Sequence, residues 1–363
     1  MPVHQKIHRE TLYYAYPISN VVSFTHIARK HIRQLSKYAL VTGLDVDSLS
    51  PSMIPNRATL AIHPFLYPFF NDNAPNTNMM YRIASKTDKL LAFDTADSDR
   101  LSSEAITLVN MADLLVVPST FAKEAYRKSG ATTKIEVVPH GLSREFLNPA
   151  KSVTSPALQA LRKTKLEKNL IYVLFDLRHS GYRKGADLVF ATIKKIQQKR
   201  PDVVLVIKRS RGIDPYLHIL KTLKHVEVAR DLSEKEYREL FDLVDVALFP
   251  SRGGGFELQA LEAISRGIPT LVPNAGCFLN YIRYAIPVEV ANKVKALEGN
   301  PIHVGMGWEV SIDDLTSKLL DVIDHLEEYK RDAEKKAKMV RKIYSWDRIG
   351  KQLVGVLKQY AIL

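Results

Sequence analysis

The segment from Asp245 to Pro273 restricts the fold of this chain more than any other stretch. DVALFPS (Asp245–Ser251) is apolar almost throughout and closed by proline, as befits a strand buried on both faces of a parallel sheet. A glycine run, Gly253–Gly255, comes next, then a helical stretch, a Gly-Ile-Pro stop and a second apolar run, Pro269–Pro273. Strand, helix and strand in succession, repeated along the chain, are the signature of a doubly wound α/β architecture. The loop also has a chemical consequence. Backbone N–H groups point outward at a helix N-terminus, the dipole favours negative charge, and glycine lets a ligand approach the backbone. Phosphate is the group such a loop suits.

The same alternation runs along the rest of the chain. Strands are expected at Thr11–Tyr16, Tyr38–Thr42, Arg57–His63, Lys89–Asp94, Leu114–Pro118 and Lys134–Pro139, and helices at Val22–Ser36, Ser102–Met111 and Thr120–Ser129. The last helix has Ser119 as N-cap and Gly130 as stop. Leu147–Lys168 holds two prolines, serines and a lysine cluster, which suits an interdomain linker. Beyond it strands are expected at Asn169–Asp176, Val203–Lys208, Val226–Ala229, Asp245–Pro250 and Pro269–Pro273. Helices are expected at Lys184–Gln198, Pro215–Leu223, Ser233–Leu243 and Phe256–Arg266. From about Ser311 the chain reads as helical, and Trp346, Ile349, Leu353 and Leu357 lie along one face of a final amphipathic helix. Two domains follow, 1–150 and 151–343, with 344–363 as a terminal helix.

At 363 residues the chain exceeds one ordinary compact core. Its 46% hydrophobic and 25% charged residues exclude a disordered chain. A single cysteine, Cys277, excludes an internal disulfide and fits a reducing, cytoplasmic setting. The opening MPVHQKIHRE has no apolar core of a secretory leader, and LAIHPFLYPFF (Leu60–Phe70) is too short to span a bilayer. Net charge is +13, mostly from residues after 150. Part of it lies in EYKRDAEKKAKMVRK (Glu328–Lys342), whose mixed signs describe a solvated helix face. No basic stripe interleaved with aromatics accompanies it, so nucleic acid is not the expected partner.

The run from Gly254 to Pro269 resembles the nucleotide-sugar site of GT-B-fold, retaining glycosyltransferases of the group-1, family-4-like type. There the pattern is E-G-F-G-L-P-x-L-E-A-x-x-x-G-x-P. Gly255, Phe256, Leu258, Leu261, Glu262, Ala263, Gly267 and Pro269 keep its order and spacing. The resemblance implies two Rossmann-like domains facing across a cleft, an acceptor domain first and a nucleotide-sugar domain second, with the terminal helix crossing back. It also implies that Glu262 holds the donor ribose and that the backbone of Gly254, Gly255 and Phe256, with Leu258, completes the donor site. Two positions depart from the pattern. The family's first glutamate, which helps hold the transferred sugar, is Gly254 here, and its second glycine is Glu257. Glu257 is close enough in sequence to compensate.

DLRHSGYRKGADLVF (Asp176–Phe190) leaves a strand and enters a helix. The family places an arginine at such a strand end and a Lys-Gly at the helix start, and Arg178 with Lys184-Gly185 keep that spacing. Arg183 competes for the arginine role. Forked and point-charge cations together suit a diphosphate leaving group. In the first half, ADLLVVPSTF and VVPHGL (Ala112–Phe121, Val137–Leu142) resemble the family tracts that line the cleft, with His140 replacing asparagine. Related enzymes carry an acid after the preceding strand. Asp97, followed by Ser98, is the positional match and Asp94 the alternative, and either carboxylate could orient a hydroxyl acceptor or stabilise positive charge at the sugar. The family's N-terminal glycine loop is not kept: Pro17, Ser19 and Asn20 stand there.

Asp45-Val46-Asp47 spells the D-x-D of metal-dependent glycosyltransferases of another fold. It follows a short strand, and Arg178 with Lys184 already supply positive charge, so no metal and no cofactor are expected beyond a nucleotide-diphosphate sugar as co-substrate. Peripheral membrane attachment through FTHIARKHIRQLSKY (Phe24–Tyr38) or HPFLYPFF (His63–Phe70) is compatible with this reading. The rival reading is a GT-B scaffold that binds nucleotide or glycan but lost chemistry with the glutamate at position 254.

Overall fold

The computed structural model describes residues 11–20, 22–71, 74–177, 179–209 and 214–363. The chain divides into two compact units. One comprises Met1–His140, Gly299–Val304 and Trp346–Leu363; the other comprises Gly141–Glu298 and Gly305–Ser345.

The first unit is built on β1 (Thr11–Tyr16), β2 (Leu40–Asp45), β3 (Ala58–Ile62), β4 (Thr87–Phe93), β5 (Leu114–Val117) and β6 (Lys134–Val137), ordered β2-β1-β3-β4-β5-β6. Every pairing is parallel. Parallel neighbours cannot be joined by tight turns, which is why segments between them are long enough to form crossovers. All of β5 and Leu60, Ala61 and Ile62 of β3 are buried, so these strands read as unbroken apolar runs. β2 lies at the sheet edge, largely exposed, and starts later than its apolar content suggested. The D-x-D sequence closes this strand. Asp45 accepts hydrogen bonds from Ile18 N (3.2 Å) and Ser19 Oγ (2.8 Å), and Asp47 accepts from Asn20 Nδ2 (2.6 Å). Both carboxylates thus hold the loop after β1.

The helix Trp346–Gln359 lies against the helix Ser23–Leu35. A Cβ at Gly350 would fall 2.5 Å from Gln34 Cγ, so glycine sets how closely the two axes approach. Trp346 is buried, with its ring edge-on to His31 at 5.6 Å. Much of the apolar content of the two stretches considered for membrane attachment lies in the core. Ile27, Ala28 and Leu35, and Phe65, Leu66 and Phe69, are buried, whereas Tyr38 and Tyr67 are exposed and the first helix exposes His26, Arg29 and Arg33. Among the described residues no helix is long and apolar enough to cross a membrane.

The second unit holds β7 (Ile171–Leu177), β8 (Val203–Arg209), β9 (His225–Val228), β10 (Val246–Leu248), β11 (Thr270–Pro273) and β12 (Ile286–Val288), ordered β9-β8-β7-β10-β11-β12. These strands are also all parallel. β12, with Pro287 in it, and the antiparallel pair Val290–Val294 and Gly307–Val310 are too short and polar to have been legible. The helix expected over Pro215–Leu223 is a single turn, Leu217–Leu220. By contrast Glu234–Leu243 opens on a full capping box: Ser233 Oγ accepts from Glu236 N, and Glu236 accepts from Ser233 N.

Leu147–Lys168 is not a free linker. It contains the helix Pro156–Glu167, and the fully buried Glu239 accepts hydrogen bonds from Thr154 N (3.0 Å), Thr154 Oγ1 (2.6 Å) and Ser155 N (2.9 Å). Arg266, also fully buried, pairs with Asp242 at 2.7 Å and donates to the carbonyls of Asn148 and Ala150. The chain passes from one unit to the other at Gly141 rather than near 150.

Candidate functional site

In the second unit the motif residues gather at the carboxyl ends of β7 and β10, where ligands of parallel sheets bind. Beyond β7 the chain makes a helical turn, Gly181–Lys184, then breaks at Gly185 before the helix Ala186–Lys199. The break separates Lys184 from the helix it was expected to begin. Gly185 has φ +76°, and a Cβ there would sit 2.4 Å from the carbonyl oxygen of Pro250. Gly185→Ala is therefore expected to destabilise the second unit by about 2 kcal/mol, since left-handed backbone and overpacking add. A urea midpoint equal to wild type would show that neither constraint acts.

Beyond β10 the loop Ser251–Glu257 is buried along its length. Arg252 organises it. Its guanidinium donates to both oxygens of Asp187 (2.7 and 2.7 Å), to Glu309 from Nε (2.9 Å) and to the carbonyl of Tyr182 (2.7 Å), and it stacks on the Tyr182 ring at 4.0 Å. Nothing in the sequence marked this arginine, because its partners come from three separate segments. Arg183 is buried beside it and donates from Nη1 to the carbonyl of Gly253 (2.9 Å), which makes it a support for the glycine loop. Arg178 lies outside the described residues.

Lys184 reaches the same loop from the other side. Its Nζ lies 2.6 and 2.7 Å from the two carboxylate oxygens of Glu257, and Arg183 Nη1 is 3.7 Å from the nearer one. Glu257 has φ +56° and immediately precedes the helix Leu258–Ser265. Tyr281 Oη, fully buried, donates to the carbonyls of Phe256 and Glu257 at 2.9 Å each. The Phe256 ring packs on Tyr281 (5.8 Å) and Tyr344 (6.4 Å), so only its backbone remains for a ligand. Leu258 is half-buried at the first helical position, and Glu262, one turn on, is buried. Lys184, Gly254 and Glu257 are thus brought together in the second unit, and Leu258 and Glu262 lie on the helix that follows them.

The first unit has a second polar constellation. His63 follows β3, Asp94 follows β4 and His140 follows β6; with His31 they line one small cavity. Tyr14 Oη is 2.8 Å from His31 Nδ1 and 3.3 Å from His63 Nδ1. Burial pushes His63 and His140 down to about 3 and His31 well below its ordinary value, so all three are neutral at pH 7. The cause is desolvation, which disfavours the charged imidazolium. Asp94 accepts from Leu66 N and Thr95 N at 2.7 Å each, yet burial raises it to about 7. Asp97 is only half-buried, its backbone N–H donating to His303 Nδ1 at 3.4 Å. Asp94, the alternative, is the acid that shares a cavity with His140. Cys277 is buried in the second unit.

Residues 220–353 match the family described as Family 4 Glycosyltransferase in conflict systems. Over 97% of its length the chain is 26% identical to uncharacterized protein 356 of Sulfolobus islandicus rod-shaped virus 1, of which it covers 99%. It is 28% identical to putative glycosyltransferase 45 of a Sulfolobus islandicus filamentous virus over 78% of each chain. Anabaena HepE, solved in complex with UDP and glucose, superposes with a TM-score of 0.63 at 14% identity, covering 97% of this chain and all of that one. Over residues 220–353 the chain is thus similar to family-4 glycosyltransferases, and its two parallel six-stranded sheets have the GT-B fold of the solved neighbour.

Proposed function

We propose that the second unit binds a nucleotide-diphosphate sugar and that the enzyme transfers the sugar, with retention of anomeric configuration and without a metal, to a hydroxyl acceptor. The observation that carries this reading is Lys184 presented beside the glycine loop, with Glu262 one helical turn beyond it. Lys184 and Arg178 neutralise the diphosphate as the bond from sugar C1 to the phosphate oxygen breaks and its electron pair passes to the diphosphate. Glu262 accepts from the ribose hydroxyls, and the backbone of Gly254–Phe256 with Leu258 lines the donor. The acceptor oxygen then bonds to C1 on the same face, and its proton goes to the departing diphosphate oxygen. No separate strong base is needed. Asp94 or Asp97 and His140 are the polar groups that the first unit offers for a hydroxyl acceptor.

A thermal-shift screen of UDP, GDP, ADP and their common sugar conjugates tests the donor site. At concentrations about a hundred times Kd, a bound nucleotide should stabilise the protein by roughly 2.7 kcal/mol. One base family should give a shift that disappears in Glu262→Ala. A shift with none of them removes the donor assignment; binding without any turnover would instead identify a sugar-nucleotide-binding protein.

A further inference from the structure

We infer that the carboxylate which related enzymes carry at position 254 has been transposed to Glu257, and that donor binding exchanges its partner from Lys184 to the sugar hydroxyls. The inference rests on the donor reading above. Three observations carry it.

First, the two positions compete for one space. A Cβ on Gly254 would lie 2.2 Å from Glu257 Oε1, 2.9 Å from its Cδ and 3.0 Å from its Cγ. The Glu257 side chain occupies the room that a side chain at 254 would need, so an acid at 254 would force the Glu257 carboxylate to move. Second, Glu257 stands where the related pattern has glycine, and it keeps a glycine-like backbone at φ +56°. L-residues adopt that conformation at a cost, and such departures persist where the surroundings enforce them. The hydrogen bonds from Tyr281 to the carbonyls of Phe256 and Glu257 do so here.

Third, the carboxylate is bound to the wrong partner for catalysis. With a side chain only 3% exposed, it holds both oxygens against Lys184 Nζ. A lysine so neutralised offers little net charge to a phosphate. A diphosphate carries more negative charge than one carboxylate and takes the ammonium over. Glu257 is then left beside an anion with its oxygens short of donors, which is costly in a buried site. Sugar hydroxyls of the same donor molecule can supply them. The hydroxyls of a bare nucleoside diphosphate are the ribose pair already assigned to Glu262, so the resting pair makes the site select sugar nucleotides over the spent product.

The test uses the full chain with UDP, GDP, ADP, UDP-glucose, UDP-N-acetylglucosamine and GDP-mannose as probes. Affinity is measured by calorimetry and turnover as nucleotide release. Glu257→Gln should bind the bare diphosphate more tightly than wild type, because Lys184 loses its competitor. Its turnover should fall on the order of 10- to 100-fold, the loss expected for a hydrogen bond to a charged group. Glu257→Gly should be as slow, and Gly254→Glu combined with Glu257→Gly should recover to within about tenfold of wild type. The inference fails if Glu257→Gln turns over like wild type with an unchanged preference for sugar nucleotide over diphosphate. It fails equally if the double variant binds nucleotide but stays as slow as Glu257→Gly. Wild type that binds none of the six probes removes the donor reading itself, an outcome distinct from either failure.

Discussion

Arg252→Leu is expected to lower the stability of the second unit by about 3 kcal/mol and to weaken nucleotide binding more than tenfold. The arginine is 1% exposed and satisfies two carboxylates, a carbonyl and an aromatic face at once. Removing one member of a buried ion cluster leaves its partners charged and desolvated, which commonly costs 3–5 kcal/mol. Asp187 and Glu309 keep 34% and 25% exposure, so water recovers part of that and the lower end applies. The effect on binding follows from connectivity. The side chain joins Tyr182 and Asp187, which flank Lys184, to the loop that continues into Gly254 and Glu257. Its own backbone is anchored independently, N–H to Arg183 O (2.7 Å) and O from Trp308 N (2.9 Å), so the leucine variant should still place residue 252 correctly and lose only the clamp. Arg252→Lys keeps the charge but cannot fork between both carboxylates, and should lose about half as much. Urea unfolding with nucleotide titration on both variants decides it: leucine as stable as arginine would mean the cluster is not what joins the two loops.

What could be read in the sequence was whatever repeats locally. Buried parallel strands announce themselves as apolar runs, and the inner strands fell within a few residues of where Leu60, Leu114 or Val203 placed them. The glycine loop and Lys184 were legible because a strand end, a glycine and a helix start constrain neighbours along the chain. Pairing was not. Nothing near Leu147–Lys168 announces that Glu239 and Arg266 will hold it, so its prolines and serines read as a linker. Gly254 and Glu257 looked like two independent departures from a pattern until their side-chain volumes were seen to compete. The sequence ranks Asp97 above Asp94, and only the fold shows that Asp94 is the buried one, sharing a cavity with His63 and His140. Arg252 and the histidine cluster depend wholly on contacts between segments remote in sequence.

That cluster sets the second large expectation, a strong dependence of the first unit's stability on pH. His63 is held near 3 and His31 well below its ordinary value because burial disfavours the imidazolium. Below about pH 6.5 the unfolded chain protonates these histidines while the folded one does not, so each draws stability down as pH falls toward its folded value. His140 is lowered too but is partly open to solvent, so it adds less. Asp94 acts in the opposite sense. Raised to about 7, it stays protonated when folded and ionises when unfolded, which removes stability as pH rises from about 4 to 7. Tyr14, whose ionisation burial pushes upward, takes no part in this range. Two histidines and part of a third against one carboxyl leave a net uptake of one to two protons on unfolding. Stability should then climb by roughly 1.5–2.5 kcal/mol per unit between pH 4.5 and 6.5. It should level off close to pH 7, where the histidine contributions end and the last of the Asp94 penalty sets in. Other groups titrate there as well, so the decisive quantity is the difference between wild type and His63→Asn. Denaturant midpoints measured every half unit should show the variant's slope shallower by close to one proton. Parallel profiles would mean that His63 is already protonated in the folded state, and that the small cavity it lines with Asp94 and His140 holds a charged rather than a neutral imidazole.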